Sequence, residues 1–443
     1  MSSYEKPAEY LTVLDSRTGR DYTIPITNNS VKAVDLGSIT PPTNSCPSTD
    51  AGLKVFDRGF VNTACVESSI TFINGRKGHI QYRDFSIHDL FQKHEYEDVV
   101  HLLVWGHLPS AEEKATFRRA LAAEMTKIPK SVMDTIRALP SDSSTSSMIF
   151  AGLGAYTATD EGSQASHRDR TSYYLGNMSA VDSAIIRTMS AVATTVALVY
   201  CHKHGREFTP ADPDGSFIGN TLLMMGRVGD DGKPNAKLHR SLEGLWILYA
   251  DHGMTNSTAA MLHAASTLTD PISACMAGII SAFGPLHGGA ISLAYKEFKQ
   301  IGSVDRVPAL IAAVKTKKQR LFGFGHRIYK TIDPRTRYIR RMIDEYLDES
   351  DMPFLKVALE IDRIASTDEY FTSRNLKANA DLYGALLYTA MGFEADIIVA
   401  MAVLSRVGGG MAYWREAMNQ SPVLWRPQQL FNGCVYSDES KSG

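Results

Sequence analysis

Gly323-Phe324-Gly325-His326-Arg327-Ile328-Tyr329-Lys330-Thr331-Ile332-Asp333-Pro334-Arg335 concentrates reactive and permissive residue types more densely than its surroundings. Glycines one and three residues before the histidine allow the backbone to approach a ligand closely. The stretch sits in a basic run of Lys315, Lys317, Lys318, Arg320, Arg327, Lys330, Arg335, Arg337, Arg340 and Arg341, opposed between those ends by Asp333 alone. A solvated helix face is the usual meaning of such a run. Bracketing a glycine-flanked histidine, it also suits a polyanionic ligand such as the phosphates of coenzyme A. RNA would match the charge, but the aromatics are only Phe322, Phe324, Tyr329 and Tyr338, with no single-strand-binding motif.

Two further histidines stand in similar settings. His287 lies in Gly284-Pro285-Leu286-His287-Gly288-Gly289-Ala290, just before a helical run over 290–298. A helix N-terminus disfavours an imidazolium, so a neutral, hydrogen-bond-donating imidazole fits there. His252 lies in Asp251-His252-Gly253-Met254-Thr255-Asn256. Each histidine taken alone reads equally as a loop residue satisfied by backbone. A metal site finds no His-x-x-x-His or Cys/His spacing to support it. Asp381, in Asn379-Ala380-Asp381-Leu382-Tyr383-Gly384, enters an apolar run over 386–391 and by itself reads as a helix N-cap. Arg406 and Arg426 are each suited to bidentate carboxylate binding or to an ordinary ion pair.

Working outward, residues up to about 85 carry strand signals. Leu11, Val13, Tyr22, Ile24 and Ile26 flank Asp15-Ser16-Arg17-Thr18-Gly19, and a second hairpin turns at Asn74-Gly75. Residues 41–48, rich in proline, serine and asparagine, read as a loop. From about 87 to about 420 the pattern is helical, with Ser110-Ala111-Glu112-Glu113 a capping box, the serine-rich 141–147 a loop or helix entry, and a turn at 230–234. The chain has 443 residues, 44% hydrophobic and 21% charged, with a formal charge of −2. That length exceeds one ordinary core, and that charge argues against a general nucleic-acid or anionic-membrane binder. The apolar stretches 191–200 and 397–404 are too short to span a bilayer and read as buried helix cores. Five cysteines without a Cys-x-x-Cys pair fit a reduced compartment. The N-terminal residues show neither signal core nor transit character, and Lys441-Ser442-Gly443 is no peroxisomal tripeptide, so cytoplasm is the default expectation.

Together, Gly-Pro-Leu-His-Gly-Gly-Ala, Gly-Phe-Gly-His-Arg-Ile-Tyr-Lys-x-x-Asp-Pro-Arg and Asn-x-Asp-x-Tyr, in this order, resemble the citrate synthase family, in its bacterial-type branch also found in fungi. The resemblance runs from Leu14-Asp15-Ser16-Arg17-Thr18-Gly19 to Arg426-Pro427. It implies an all-α, two-domain helical fold with a small N-terminal β region. Residues 1–286 would form a large domain, 287–383 a small one, and 384–443 a return to the large domain with a C-terminal arm. It implies a homodimer whose domains close over oxaloacetate and an acyl-CoA, with no cofactor. Asp381 would be the base that takes the α-proton, His287 the donor to the thioester oxygen, and His326 the group that polarises the oxaloacetate carbonyl. His252, Arg335, Arg406 and, from the partner subunit, Arg426 would hold oxaloacetate. Leu321, Phe322, Gly323, Phe324, Gly325, Arg327 and Lys330 would wrap the CoA nucleotide.

The sequence departs from the family pattern at several points. Gly253 stands where Glu is usual, Ala380 for Val, Leu382 for Phe and Gly384 for Ser; Ser146-Ser147-Met148 replaces His-Pro-Met, and Tyr413 replaces a His. Loss of volume at Gly253, Ala380, Leu382 and Gly384 points to an acyl pocket for chains longer than acetyl, hence an alkylcitrate synthase. Citrate synthase and 2-methylcitrate synthase are the alternatives, and a catalytically silent CoA-binding homologue is the alternative of another class.

Overall fold

In a computed structural model, the structure describes residues 9–41, 52–168, 173–326, 328–347 and 352–433. The chain divides into two compact units, Met1–Glu67 with Arg426–Gly443, and Ser68–Trp425.

In the smaller unit, β1 (Tyr10–Asp15) pairs antiparallel with β2 (Arg20–Pro25), with Val13 opposite Tyr22. The turn closes because Asp15 accepts from the Arg17 backbone and forms two bonds with its guanidinium, at 2.9 Å each. The expected hairpin is therefore present. Most of the expected 41–48 loop lies outside the described residues.

The larger unit opens with the second expected hairpin, β3 (Thr71–Asn74) and β4 (His79–Tyr82), to which a two-residue strand β5 (Phe85–Ser86) adds. Helices follow from Ile87 to Met418. Ser110 forms the expected capping box with Glu113. Seven helices build the core and frame the site: α1 (Met178–His204), α2 (Ala236–Tyr249), α3 (Asn256–Ala265), α4 (Pro271–Ala282), α5 (Gly289–Ile301), α6 (Ala380–Ala390) and α7 (Ala395–Met418). Their starts are written in the sequence. Thr255 accepts from Thr258 N at α3, Asp270 from Ser273 N with Pro271 in the first turn at α4, and Asn379 from Leu382 N at α6.

α7 is the hub, packing against α1, α2, α3, α4, α5 and α6. α1 and α7 are each long and apolar enough to cross a membrane, which the two short apolar stretches did not indicate, because small residues extend both helices beyond those stretches. Most of their apolar surface is nevertheless buried inside the chain, as those stretches implied.

Candidate active site

The histidines, the aspartate and two of the arginines come together in the larger unit. His326 is fixed by its own loop. Its Nδ1 accepts from the backbone N–H groups of Ile328 (3.0 Å) and Tyr329 (3.2 Å). An accepting Nδ1 is unprotonated, so the neutral ring carries its proton on Nε2 and can donate from there. The ring lies 5.5 Å from that of His252 and 4.5 Å from that of Tyr329, and His252 Nε2 meets the Tyr329 hydroxyl at 2.9 Å.

His287 falls just before Gly288, the N-cap of α5, as its neighbours predicted. Glycine is required beside it, since a Cβ on Gly289 would stand 2.4 Å from the Phe283 carbonyl oxygen. His287 Nε2 lies 2.9 Å from Ser257 Oγ. A Ser257 hydroxyl donating there leaves the ring proton on Nδ1, free to donate to a ligand.

Asp381 sits in the first turn of α6, but Asn379 makes the cap. The N-cap role that Asp381 alone would suit is thus already filled. Its carboxylate makes no hydrogen bond to any described residue. Asn379 also donates from Nδ2 to Gly325 O at 3.0 Å, its backbone N–H donates to Gly323 O at 3.0 Å, and Gly325 N–H donates to Lys377 O at 2.7 Å. This short ladder ties the glycine loop to the helix that presents Asp381. Gly323 and Gly325 take φ of +80° and +83°, a conformation glycine adopts without strain.

The site is electropositive. Arg335 is buried and pairs with Asp333 through Nε (3.0 Å) and Nη2 (2.7 Å). Arg406 donates from Nε to the Tyr249 carbonyl at 2.6 Å and makes no hydrogen bond or ion pair with an acidic side chain among the described residues, although its charge is felt at buried Asp251. Both Nη groups of Arg406 thus remain for a ligand carboxylate. Burial, and then these arginines, hold His252 well below the ordinary histidine pKa. Burial likewise lowers His326, with Arg335 adding to it, and lowers His287, with Arg406 adding to it; the Asp381 charge offsets part of both. Three neutral imidazoles beside two guanidiniums suit an anionic ligand.

His287, Asp381 and Arg406 also line one cavity of about 120 Å³. Its remaining wall is mostly apolar and comes from α3, α4, α5 and α7.

A sequence profile for the citrate synthase C-terminal domain matches residues 59–428. The chain belongs to the citrate synthase family. It is 46% identical over 431 residues to the citrate synthase-like protein oryE of Aspergillus oryzae, covering 96% of each chain. It is 38% identical over 437 residues to the alkylcitrate synthase tstJ of Talaromyces stipitatus, covering 97% of this chain and 95% of that one. Among solved structures, it is similar to the citrate synthase of Thermoplasma acidophilum in a ternary complex with carboxymethyl coenzyme A and oxaloacetate, with TM-score 0.76 and 25% identity, covering 85% of this chain and 96% of that one.

Against the family pattern, some expected residues fall elsewhere. Arg327 lies outside the described residues. Arg426 belongs to the smaller unit, exposed on a segment without regular secondary structure. Lys330 is exposed, and its backbone donates to Gly75 O at 2.9 Å. Part of the basic run is already neutralised, Lys315 by Asp368 and Arg340 by Asp362. None of Gly253, Ala380, Leu382 and Gly384 lines the cavity. Gly253 serves a turn at φ +68°, its N–H donating to Asp251 Oδ2 at 2.7 Å. Leu382 packs on Gly323, where a Cβ would come within 2.8 Å of Leu382 Cβ. The space beside Gly384 is filled by Tyr249, whose hydroxyl would stand 1.9 Å from an added Cβ.

Ser257, Tyr249 and Asp333 are site residues that motif reading passed over. Asp333 lies inside the opening motif and Ser257 five residues after His252, so proximity in sequence was the available signal.

The neutral histidines carry a stability consequence. In the unfolded chain they take up protons near the ordinary value of 6.5, whereas His252 resists in the fold. Its contribution is fully present above 6.5 and is lost as pH falls, because the unfolded state then binds more protons. Thermal or urea midpoints should therefore drop between about pH 6.5 and 5, and His252→Gln should flatten that drop. An equally steep drop in the variant removes His252 as its cause.

Proposed function

We propose that this enzyme condenses oxaloacetate with an acyl-CoA longer than acetyl-CoA, giving an alkylcitrate and free CoA. The observation that carries the reading is the meeting of Asp381, His287 and Arg406 at the edge of an apolar cavity. Asp381 takes a proton from the α-carbon while His287 donates to the thioester oxygen, which becomes an enolate oxygen. The α-carbon then bonds to the keto carbon of oxaloacetate. His326 Nε2–H donates to the keto oxygen as it becomes an alkoxide and supplies its proton. Water then cleaves the thioester and releases CoA.

His252, Arg335 and Arg406 hold the oxaloacetate carboxylates, and in a homodimer Arg426 of the partner subunit completes the set. The segment 321–330, including Arg327, takes the CoA nucleotide. A donor at the developing oxyanion is worth about 3–4 kcal/mol and positioning of two substrates about 7–11 kcal/mol. Domain closure, with residues 287–383 as the moving part, would keep water out until the carbon–carbon bond forms. The reaction calls for no metal or redox cofactor. The likeness to two proteins named alkylcitrate synthases, at 38% and 37% identity, supports the longer acyl group.

The test is thiol release with oxaloacetate across acetyl-, propionyl-, hexanoyl- and longer acyl-CoA. We expect kcat/KM for hexanoyl-CoA or longer to exceed that for acetyl-CoA at least tenfold, as a few buried methylenes at about 0.8 kcal/mol each would give. A maximum at acetyl-CoA means a plain citrate synthase. No release with any thioester means a silent homologue.

A further inference from the structure

Three helices present their small and apolar residues to the same space. α4 contributes Cys275, Gly278, Ile279 and Ala282, at the spacing of one helix face, and α3 contributes Met261 one turn beyond Ser257. α7 contributes Val403, Val407 and Gly410 on the turns following Val399. The polar lining is confined to Tyr249, Ser257, Thr258, His287, Asp381 and Arg406. Gly410 is one helical turn past Arg406, about 6 Å along the axis. A Cβ on Gly410 would stand 3.4 Å from Met261 Sδ, so these two residues face each other across the far end. Met261, Ile279 and Val407 are almost fully buried. Burial pushes the Cys275 thiol up to about 12, so it stays neutral and acts as a small apolar side chain. Gly278 is closely packed, an added Cβ meeting Ser257 O at 3.0 Å and Met261 Cβ at 3.2 Å, so the wall there is built without a side chain.

We propose that this channel between α3, α4 and α7 receives the alkyl tail of the acyl-CoA and that Met261 and Gly410 set the chain length. The proposal rests on the condensation reading above, because it places the α-carbon at Asp381. Hydrocarbon laid against this apolar wall is removed from water, and that burial favours its binding. The space, about 120 Å³ and walled mostly by apolar side chains, extends from the reacting groups toward Met261 and Gly410, so a medium-length alkyl tail such as hexanoyl is the occupant to test. Met261 is the flexible, polarisable residue that can yield at the far end.

The experiment is a kcat/KM profile over acetyl- to decanoyl-CoA for the full-length parent, Gly410→Leu and Met261→Ala. Each buried methylene is worth about fourfold. Gly410→Leu should lower the hexanoyl-to-propionyl ratio at least tenfold. Met261→Ala should move the best chain length up by two carbons or more. Gly410→Ala, whose Cβ meets only the flexible Met261 side chain, should fall between parent and Gly410→Leu. If Gly410→Leu is inactive on every substrate, Gly410→Ala and Met261→Ala decide. Unchanged profiles in both, with a parent that prefers hexanoyl-CoA, overturn the channel and leave the condensation reading standing. A parent that prefers acetyl-CoA overturns the long-chain reading itself, and the channel with it.

Discussion

Asp381→Asn should lower condensation by about three to four powers of ten while leaving the fold and oxaloacetate binding intact. The carboxylate makes no hydrogen bond to a described residue, so no structural contact is lost with it. The α6 cap belongs to Asn379, which the substitution does not touch. What the fold loses is the favourable placement of a charge in the first helical turn, about 0.3–1 kcal/mol. An amide of nearly the same shape cannot take the α-proton. If arginine and histidine hold oxaloacetate as proposed, it should still raise the melting temperature of the variant. Near-normal turnover in a pure preparation would mean that another group is the base. The same variant tests the shared site. If Arg426 serves the partner's pocket, Asp381→Asn and Arg426→Ala homodimers should both be nearly dead and their mixed dimers active. In such a dimer one site carries both lesions and the other neither. Heterodimers that form without recovery would exclude the inter-subunit role.

The elements that could be read from sequence were those encoded locally. The two hairpins, the Ser110–Glu113 box and the start of α5 after His287 depend on residues a few positions apart. β5 has only two residues, too few to show alternation, and forms because β4 offers an edge. The motifs located His287, His326 and Asp381, whose glycine or cap neighbours are also local. Ser257, 30 residues before His287, became legible only through their contact. The cavity wall was the least legible part. Cys275 with Ile279, and Val403 with Val407, recur at helical spacing, and that periodicity is the same whether a side chain meets another side chain or an empty channel. Loss of volume beside Asp381 pointed instead to Ala380, Leu382 and Gly384. Sequence alone could not show that Tyr249 and Gly323 fill the space those residues leave.

That difference makes Gly384→Ser a decisive variant. Were Gly384 part of an acyl slot, serine would narrow the slot and move preference toward acetyl-CoA. In the structure the new Cβ would fall 1.9 Å from Tyr249 Oη and 2.7 Å from its Cζ. Tyr249 is buried, and its hydroxyl donates to Ala380 O at 2.5 Å, so it has no free direction in which to yield. Overpacking of a tight core costs about 1–3 kcal/mol, and loss of that buried hydrogen bond about 1–3 kcal/mol more. The expected destabilisation is thus about 2–6 kcal/mol, read as a lower melting temperature at a fixed scan rate. The damage should also reach oxaloacetate. The Tyr249 carbonyl accepts from Arg406 Nε at 2.6 Å, and Arg335 lies 5.6 Å from the Tyr249 ring centroid. KM for oxaloacetate should therefore rise, with the order of preference among acyl-CoA substrates unchanged. Gly384→Ala, which adds the same Cβ without the hydroxyl, should show both effects nearly in full. A Gly384→Ser enzyme that melts with the parent and switches to acetyl-CoA would return this position to the acyl pocket.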